Sequence, residues 1–185
     1  MAILKVAQMG NPVLRKIAKE LDPSEIKSKE FQNLIQDMIE TMEEYEGIGL
    51  AAPQVHQSVQ LCLIQVSPEN SRYRTSEAIP LQVICNPKIT PLGSETSEMW
   101  EGCLSVHALR GLVRRPAKIR LQALDGQAKK IDWELEGLAA TVVQHETDHL
   151  FGTLYVDKLV DTKQLAFLPE YQKYWMKEGD VDLEE

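Results

Sequence analysis

The sequence predicts an α+β fold, in which mixed or antiparallel sheets pack around a central helix that carries a metal-binding motif. Strand-like segments come first along the chain, and a helical segment that contains the motif comes late, at 137–150. Asp125-Gly126 separates two β-rich segments and is a strong signal for an antiparallel hairpin. His145-Glu146-Thr147-Asp148-His149 places two histidines four residues apart, on one face of the late helix.

The first predicted elements are helices. Asn11-Pro12 combines an N-cap residue with proline at the first helical position, so a short helix is expected to end near Leu21. Residues 28–46 form the clearest helix, because apolar side chains recur at steps of three and one along a single face. Gly47 stands where a helix end favours a left-handed residue. The apolar face consists of Phe31, Leu34, Ile35, Met38, Ile39, Met42 and Tyr45.

The middle of the chain is predicted to form strands separated by loops. Residues 47–55 contain two glycines and a proline, which indicates a loop. Residues 59–66 and 81–90 are short β-rich segments. Residues 117–124 and 129–135 are predicted to be the two arms of the hairpin around Asp125-Gly126.

The C-terminal part of the chain is predicted to be helical and to end in a tail. The helix at 137–150 stops at Gly152, and a last helical stretch begins at Pro169. Residues 1–178 are expected to form one catalytic domain, since 185 residues suit a single core. Residues 179–185 are expected to be an acidic, solvated tail.

Composition limits the kinds of partner. The formal net charge is −8, from 28 acidic and 20 basic residues, which argues against direct nucleic-acid binding. Cys62, Cys85 and Cys103 are an odd number in a chain too large to need disulfides, which favours a reducing cytosol. No apolar run approaches the roughly 20 residues of a membrane span, and the N-terminus lacks the features of a secretory peptide. A cytoplasmic protein without a membrane partner is predicted, and a processed organellar form stays open.

The motif His145-Glu146-Thr147-Asp148-His149 indicates a catalytic metal site. Leu138 and Val142 precede His145 on the same helix face, so the two histidines continue an inward, apolar face and can chelate one ion. Glu146 follows His145 directly and projects to the side, where a general base would meet a water molecule. Two imidazoles need a third ligand, and its identity decides the class of enzyme.

Three positions in the sequence correspond to possible third ligands. A metzincin protease would have histidine where this chain has Tyr155, so that class is excluded. Glu170 lies 21 residues after His149 and would complete a zinc endopeptidase site. Cys103 lies in the polar segment Glu101-Gly102-Cys103-Leu104-Ser105, and a thiolate with two imidazoles would leave a fourth position open for catalysis.

Three segments resemble the ordered motifs of the peptide deformylase family. Their order and separations are similar to those of the family, and they span about 100 of the 185 residues. The resemblance implies hydrolysis of the N-formyl group from the N-terminal formylmethionine of new polypeptides, with release of formate. A zinc endopeptidase that uses Glu170 and a non-catalytic metalloprotein are the alternatives. The segments are Gly47-Ile48-Gly49-Leu50-Ala51-Ala52-Pro53-Gln54-Val55, Glu101-Gly102-Cys103-Leu104-Ser105 and His145-Glu146-Thr147-Asp148-His149.

The resemblance also implies the ligands and the metal. Cys103, His145 and His149 would hold one Fe(II) ion per chain, with zinc, nickel or cobalt as substitutes. The donor set by itself favours zinc, so iron is an expectation from the family alone.

Further residues acquire roles from the same resemblance. Glu146 would act as acid and base, and the formyl oxygen would accept hydrogen bonds from the side-chain amide of Gln54 and the backbone N–H of Leu104. Gly49 and Gly102 are expected to let a peptide backbone approach closely. The expected substrate-binding residues are Ile48, Gly49, Met99, Gly102, Arg110, Leu138 and Val142.

Two more expectations concern charged groups. Arg115 is expected to pair with a nearby carboxylate, either Glu101 or Glu46. From Asp161 onward the chain lacks the basic helix with which some deformylases dock on the ribosome, and its end is acidic. The resemblance implies that the N-formylmethionyl nascent chain is the partner, and docking on the ribosome stays open.

Overall fold

Two antiparallel sheets and a central helix form the fold of the computed structural model, which describes residues 2–66 and 78–176. In chain order the elements are α1 (Pro23–Ile26), α2 (Lys29–Glu44), β1 (Gly49–Ala51), β2 (Leu61–Val66), β3 (Ile79–Pro91), β4 (Thr96–Cys103), β5 (Val106–Pro116), β6 (Lys118–Leu124), β7 (Lys130–Glu136), α3 (Gly137–Leu150), β8 (Leu165–Phe167) and α4 (Leu168–Tyr174). The five-stranded sheet has the order β1-β2-β3-β6-β7, and the three-stranded sheet has the order β4-β5-β8. Helix α3 packs on the larger sheet and reaches the smaller one through polar side chains, which confirms the predicted α+β fold.

Helix α2 forms where its apolar face predicted it. The Ser28 hydroxyl accepts a hydrogen bond from the backbone N–H of Phe31 at 3.2 Å and caps the N-terminus. The left-handed residue at its C-terminal end is Glu46, with φ of 50°, and not Gly47 as predicted. The face that enters the core contains Phe31, Ile35, Met38 and Met42.

The short helix predicted after Asn11-Pro12 is only one 3-10 turn, Pro12–Arg15. The side chain of Asn11 caps this turn, as expected, by accepting from Val13 N–H at 3.1 Å. The chain then becomes extended, because the Ala18 N–H donates to the carbonyl of Leu150 at the end of α3, at 2.8 Å. A tertiary hydrogen bond thus replaces the helical one.

The predicted loop at 47–55 contains the edge strand β1 and a 3-10 turn, Ala52–Val55. Gly49 pairs with Ile64 and Ala51 pairs with Cys62, which places this segment at one edge of the five-stranded sheet. All three residues of β1 are buried, so their backbone groups require partners that a loop would not supply.

The β4–β5 hairpin was not predicted from the sequence. It pairs Thr96 with Pro116 at its open end and Cys103 with Val106 at its turn. Its strands contain buried Glu101, Arg110 and Arg115, so the alternation of apolar and polar residues that marks a half-buried strand is interrupted. The hairpin is therefore difficult to recognise at the place where it forms part of the site.

The remaining elements agree with the predictions. Strands β6 and β7 form the hairpin around Asp125-Gly126, and α3 ends before Gly152, which has φ of 73°. Helix α4 begins one residue before Pro169. Among the described residues, no helix is both long and apolar enough to cross a membrane. The predicted acidic tail, 179–185, lies outside the described residues.

Candidate metal centre and active site

Three side chains that could bind a metal meet between α3 and the smaller sheet. Cys103 is the last residue of β4, and His145 and His149 lie one turn apart on α3. Their ligand atoms lie within 4.8 Å of one another, and the Cys103 Sγ is 3.3 Å from the His149 Nε2. All three side chains are buried. Within the described residues this is the one such cluster of three or more potential ligands.

The chemistry of this cluster fits a divalent cation. A thiolate and two imidazoles bind zinc-like ions at about 2.0–2.3 Å and leave a fourth position for catalysis. Burial, together with the nearby cationic His145, Arg115 and Arg15, holds the pKa of His149 well below its ordinary value, so this imidazole is neutral, as a ligand must be. Burial alone would lower the pKa of His145, but hydrogen bonds to Cys103 and Glu101 raise it well above its ordinary value. The groups that raise this pKa, Cys103 and Glu101, would equally stabilise the positive charge of a metal ion bound to a neutral His145.

A buried carboxylate sets the orientation of His145. The Glu101 Oε2 is 2.7 Å from the His145 Nδ1, so the opposite ring nitrogen is available to a metal. Arg115 donates to both oxygens of Glu101, from Nε at 2.6 Å and from Nη2 at 2.9 Å. Burial would raise the pKa of Glu101, but the hydrogen bonds from Arg115 and His145 lower it to about 2. Of the two expected partners of Arg115, the structure shows Glu101.

The same arginine also contacts the motif helix. Arg115 Nη1 donates to Asp148 Oδ2 at 2.8 Å, and Lys158 Nζ donates to the other oxygen of Asp148 at 2.7 Å. Asp148 occupies a variable position of the metal motif, so the motif pattern does not identify it. The only sequence signal for its contact with Arg115 is its position between the two histidines, which lie one helical turn apart.

Glu146 is buried beside the cluster, and one of its carboxylate oxygens accepts no hydrogen bond from the described residues. Its side chain is 5% exposed, and its Oε2 has no hydrogen-bond partner among the described residues. Burial raises its pKa to about 7, although the nearby positive charge of His145 opposes this shift. A carboxylate with a pKa near neutrality can accept and release protons at physiological pH.

Gly49 leaves the space that Glu146 occupies. A Cβ added at Gly49 would lie 2.2 Å from the Glu146 Oε1, a distance that no real contact permits. Gly49 was expected to allow close approach of a peptide, but the observed neighbour is the carboxylate of Glu146. The glycine is therefore required by the packing of this side chain.

Gly49→Ala is expected to lower kcat by about a hundredfold, because the methyl group displaces Glu146 by about 1 Å. Gly126→Ala is the matched control, since an added Cβ there would meet Val83 at 3.2 Å and Ile35 at 3.6 Å and no residue of the site. Steady-state rates and metal content of both variants test the expectation. A Gly49→Ala enzyme with the wild-type kcat would show that the position of Glu146 is unimportant.

The side-chain amide of Gln54 is oriented toward the cluster. Gln54 is 2% exposed, and its Oε1 accepts from the Ala51 N–H at 2.8 Å. Its Nε2 therefore points the other way, 3.2 Å from the Ser105 Oγ and 3.5 Å from the Cys103 Sγ. Ser105 was not predicted as a site residue. Leu104 follows Cys103 directly in the turn between β4 and β5.

Four of the expected substrate-binding residues lie around α3. Val142 is buried in one apolar cluster against which Ile48 and Leu138 pack. Met99, on β4, is joined to α3 because the Thr141 hydroxyl lies 3.4 Å from its Sδ. The contact of Thr141 with Met99 was not predicted either, because a threonine on a helix has no distinctive sequence pattern.

Arg110 and Gly102, two further expected substrate-binding residues, pack against each other. Arg110 is 1% exposed, so its guanidinium is not at a surface that a peptide could reach in this structure. Its Nη1 donates to the Leu109 carbonyl at 2.9 Å, and it would lie 2.4 Å from a Cβ added at Gly102. The side chain next to Gly102 in this structure is therefore that of Arg110, and contact of either residue with a substrate stays a prediction.

Glu170, the alternative third ligand, is an exposed residue in the first turn of α4. It does not belong to the ligand cluster found among the described residues. The zinc endopeptidase alternative is therefore not favoured.

Comparisons with known proteins show the family to which the chain belongs. Residues 3–165 match the family model described as polypeptide deformylase. The chain is 46% identical over 167 residues to a peptide deformylase of Leptospira biflexa, which covers 90% of this chain and 93% of that protein. It is 43% identical over 166 residues to peptide deformylase 1 of Bordetella pertussis, with 90% of this chain and 91% of that protein covered.

Solved structures show the same likeness. A class I type b peptide deformylase from Acinetobacter baumannii with bound Met-Ala-Ser superposes with a TM-score of 0.81 at 35% identity, over 85% of this chain and 99% of that chain. A peptide deformylase from Synechococcus elongatus in complex with actinonin superposes with a TM-score of 0.77 at 32% identity, over 98% of this chain and 91% of that chain. From its sequence and its fold, the chain belongs to the polypeptide deformylase family of metal-dependent hydrolases.

Proposed function

We propose that this enzyme removes the formyl group from N-formylmethionyl peptides, with Cys103, His145 and His149 as the ligands of one divalent ion. The single observation that carries the proposal is the buried thiolate–imidazole cluster with the carboxylate of Glu146 beside it. A bound ion would act as a Lewis acid, which lowers the pKa of water and polarises the formyl carbonyl.

The side chains of the protein supply the remaining chemistry. Glu146 takes a proton from the attacking water and transfers it to the leaving amine nitrogen, a role that its pKa of about 7 supports. The products are formate and a peptide with a free N-terminal amine. Glu101 and Arg115 hold the His145 ring in place while the charge on the neighbouring groups changes during the reaction.

The formyl oxygen accepts hydrogen bonds from the Gln54 Nε2 and the Leu104 N–H in this proposal. The orientation of the Gln54 amide supports it, since Ala51 engages the amide oxygen and leaves the donor facing Cys103. The methionine side chain packs against Ile48, Leu138 and Val142, with Met99 at the side.

Release of formate from formyl-Met-Ala-Ser tests the proposal. We expect one formate for each free amine formed, and no cleavage inside the peptide. Acetyl-Met-Ala-Ser is the control, because it keeps the peptide but replaces the formyl hydrogen with a methyl group. Cleavage between residues without formate would instead establish an endopeptidase.

We further propose Fe(II) as the resident metal, with nickel, zinc or cobalt able to substitute. The Fe(II) enzyme is expected to lose activity in air faster than the Ni(II) enzyme. The reason is that a redox-active ion would lie beside the Cys103 thiolate, and both react with oxygen. Half-lives under air, with mass spectrometry of Cys103, measure this difference. Equal half-lives would contradict iron as the oxygen-sensitive centre.

The expected partner is the nascent chain in the cytoplasm. Its support is that the Acinetobacter baumannii relative binds Met-Ala-Ser and the Synechococcus elongatus relative binds actinonin.

A further inference from the structure

The N-terminal strap, residues 2–9, joins the two segments that carry the proposed oxyanion donors. Backbone N–H groups of the strap donate to two carbonyls of the site: Ala7 to Gln54 at 2.7 Å and Met9 to Ser105 at 2.7 Å. Between them, the Gln8 Nε2 donates to the Leu104 carbonyl at 3.0 Å. Three consecutive residues of the strap thus hold both segments.

The other end of the strap is attached to α2. The Leu4 N–H donates to the hydroxyl of buried Thr41 at 2.9 Å, and the Ala2 N–H donates to the Asp37 Oδ1 at 2.9 Å. Val6, which lies between Leu4 and Ala7, is buried. The strap is therefore held by the core independently of the segments that it joins.

The strap matters because the direct link between the two segments involves a catalytic donor. That link consists of the hydrogen bonds from the Gln54 Nε2 to the Ser105 Oγ and the Cys103 Sγ. When Nε2 donates to the formyl oxygen, those hydrogen bonds are weakened. At these two segments the strap donates to the backbone carbonyls of Gln54, Leu104 and Ser105, so its hydrogen bonds there persist while the substrate is bound.

The peptide between Leu104 and Ser105 lies in the turn of the β4–β5 hairpin. Cys103 and Val106 form the last strand pair, so the peptide between Leu104 and Ser105 lies beyond the strand ladder. Gln8 donates a hydrogen bond to the carbonyl of this peptide, which limits rotation of the Leu104 backbone.

We propose that Gln8 is a positioning residue, which holds the Leu104-Ser105 turn so that the Leu104 N–H points to the formyl oxygen. The inference rests on the proposed function. The side chain of Gln8 is exposed and fills no core position, so its substitution is expected to leave the fold intact. Its contribution is expected in the transition state, where charge develops on the oxygen.

Gln8→Leu is expected to lower kcat about fivefold and leave KM within twofold, since one ordinary hydrogen bond is lost. Gln8→Lys should restore kcat, because an ammonium can donate to the same carbonyl, whereas Gln8→Glu should not. Amide hydrogen exchange of residues 103–106 is expected to be faster in Gln8→Leu than in the wild type. Gln36→Leu is the matched control, as it removes an exposed glutamine hydrogen bond, to Glu40 Oε1 at 3.0 Å, on α2.

The alternatives are separable by the same measurements. Metal content and Tm of Gln8→Leu should equal those of the wild type, and a loss of either would assign Gln8 a merely structural role. An unchanged kcat of Gln8→Leu, or a raised KM at constant kcat, overturns the inference about Gln8. The proposed function still holds in that case, provided that the wild-type enzyme releases formate. A wild-type enzyme that releases no formate would overturn the proposed function itself.

Discussion

Glu146→Gln and Glu146→Ala are expected to keep the bound metal and to lose about two to four orders of magnitude in kcat. The carboxylate is not one of the three clustered ligands, so metal binding survives its removal. Its burial holds the pKa at about 7, where proton uptake and release are both feasible, and an amide or a methyl group provides neither. Glutamine has nearly the same size, so Glu146→Gln separates the loss of the base from a loss of packing beside Gly49.

Glu136→Ala is the control for both variants. It removes an exposed carboxylate at the N-terminus of the same helix, where Glu136 makes no side-chain cap hydrogen bond. Metal content and formate release are measured on all four proteins. Formate release by Glu146→Gln at close to the wild-type rate would contradict the assignment of Glu146 as the general base.

Cys103→Ala is expected to lose most of its bound metal and all deformylase activity, whereas Glu170→Ala should keep both. Without the thiolate, only two imidazoles on one helical turn remain, too few to hold a divalent ion tightly against water. Glu170 is exposed on α4 and does not belong to the ligand cluster. Metal analysis of the purified variants measures the difference directly.

Two further variants sharpen this test. Cys62→Ala removes a buried thiol from the core and should leave metal content unchanged, which controls for the loss of any cysteine. Cys103→Asp replaces the thiolate with a harder ligand that donates less charge, so metal can remain while kcat falls. Full metal occupancy in Cys103→Ala together with metal loss in Glu170→Ala would support the endopeptidase.

Local sequence determined the elements whose signals are contained within a few residues. Helix α2 follows from its apolar period and the Ser28 cap, and the β6–β7 hairpin follows from Asp125-Gly126. The metal motif on α3 also follows, because a spacing of four residues on a helix is itself the geometry of chelation. Resemblance to the family added Cys103, which lies 42 residues before His145 in the sequence and beside it in the fold.

Tertiary structure alone decided how the ligands are supported. The β4–β5 hairpin was not evident from periodicity, since buried charged residues interrupt the pattern of a strand. Arg115 was expected to pair with Glu101 or Glu46, and the fold decided for Glu101 and added Asp148. The packing of Gly49 against Glu146, and the hydrogen bond from Gln8 to Leu104, join residues about a hundred positions apart. No local propensity records such contacts, because a residue's propensity depends on its neighbours in the chain, whereas a buried polar group is satisfied by whichever partner the fold brings within about 3 Å.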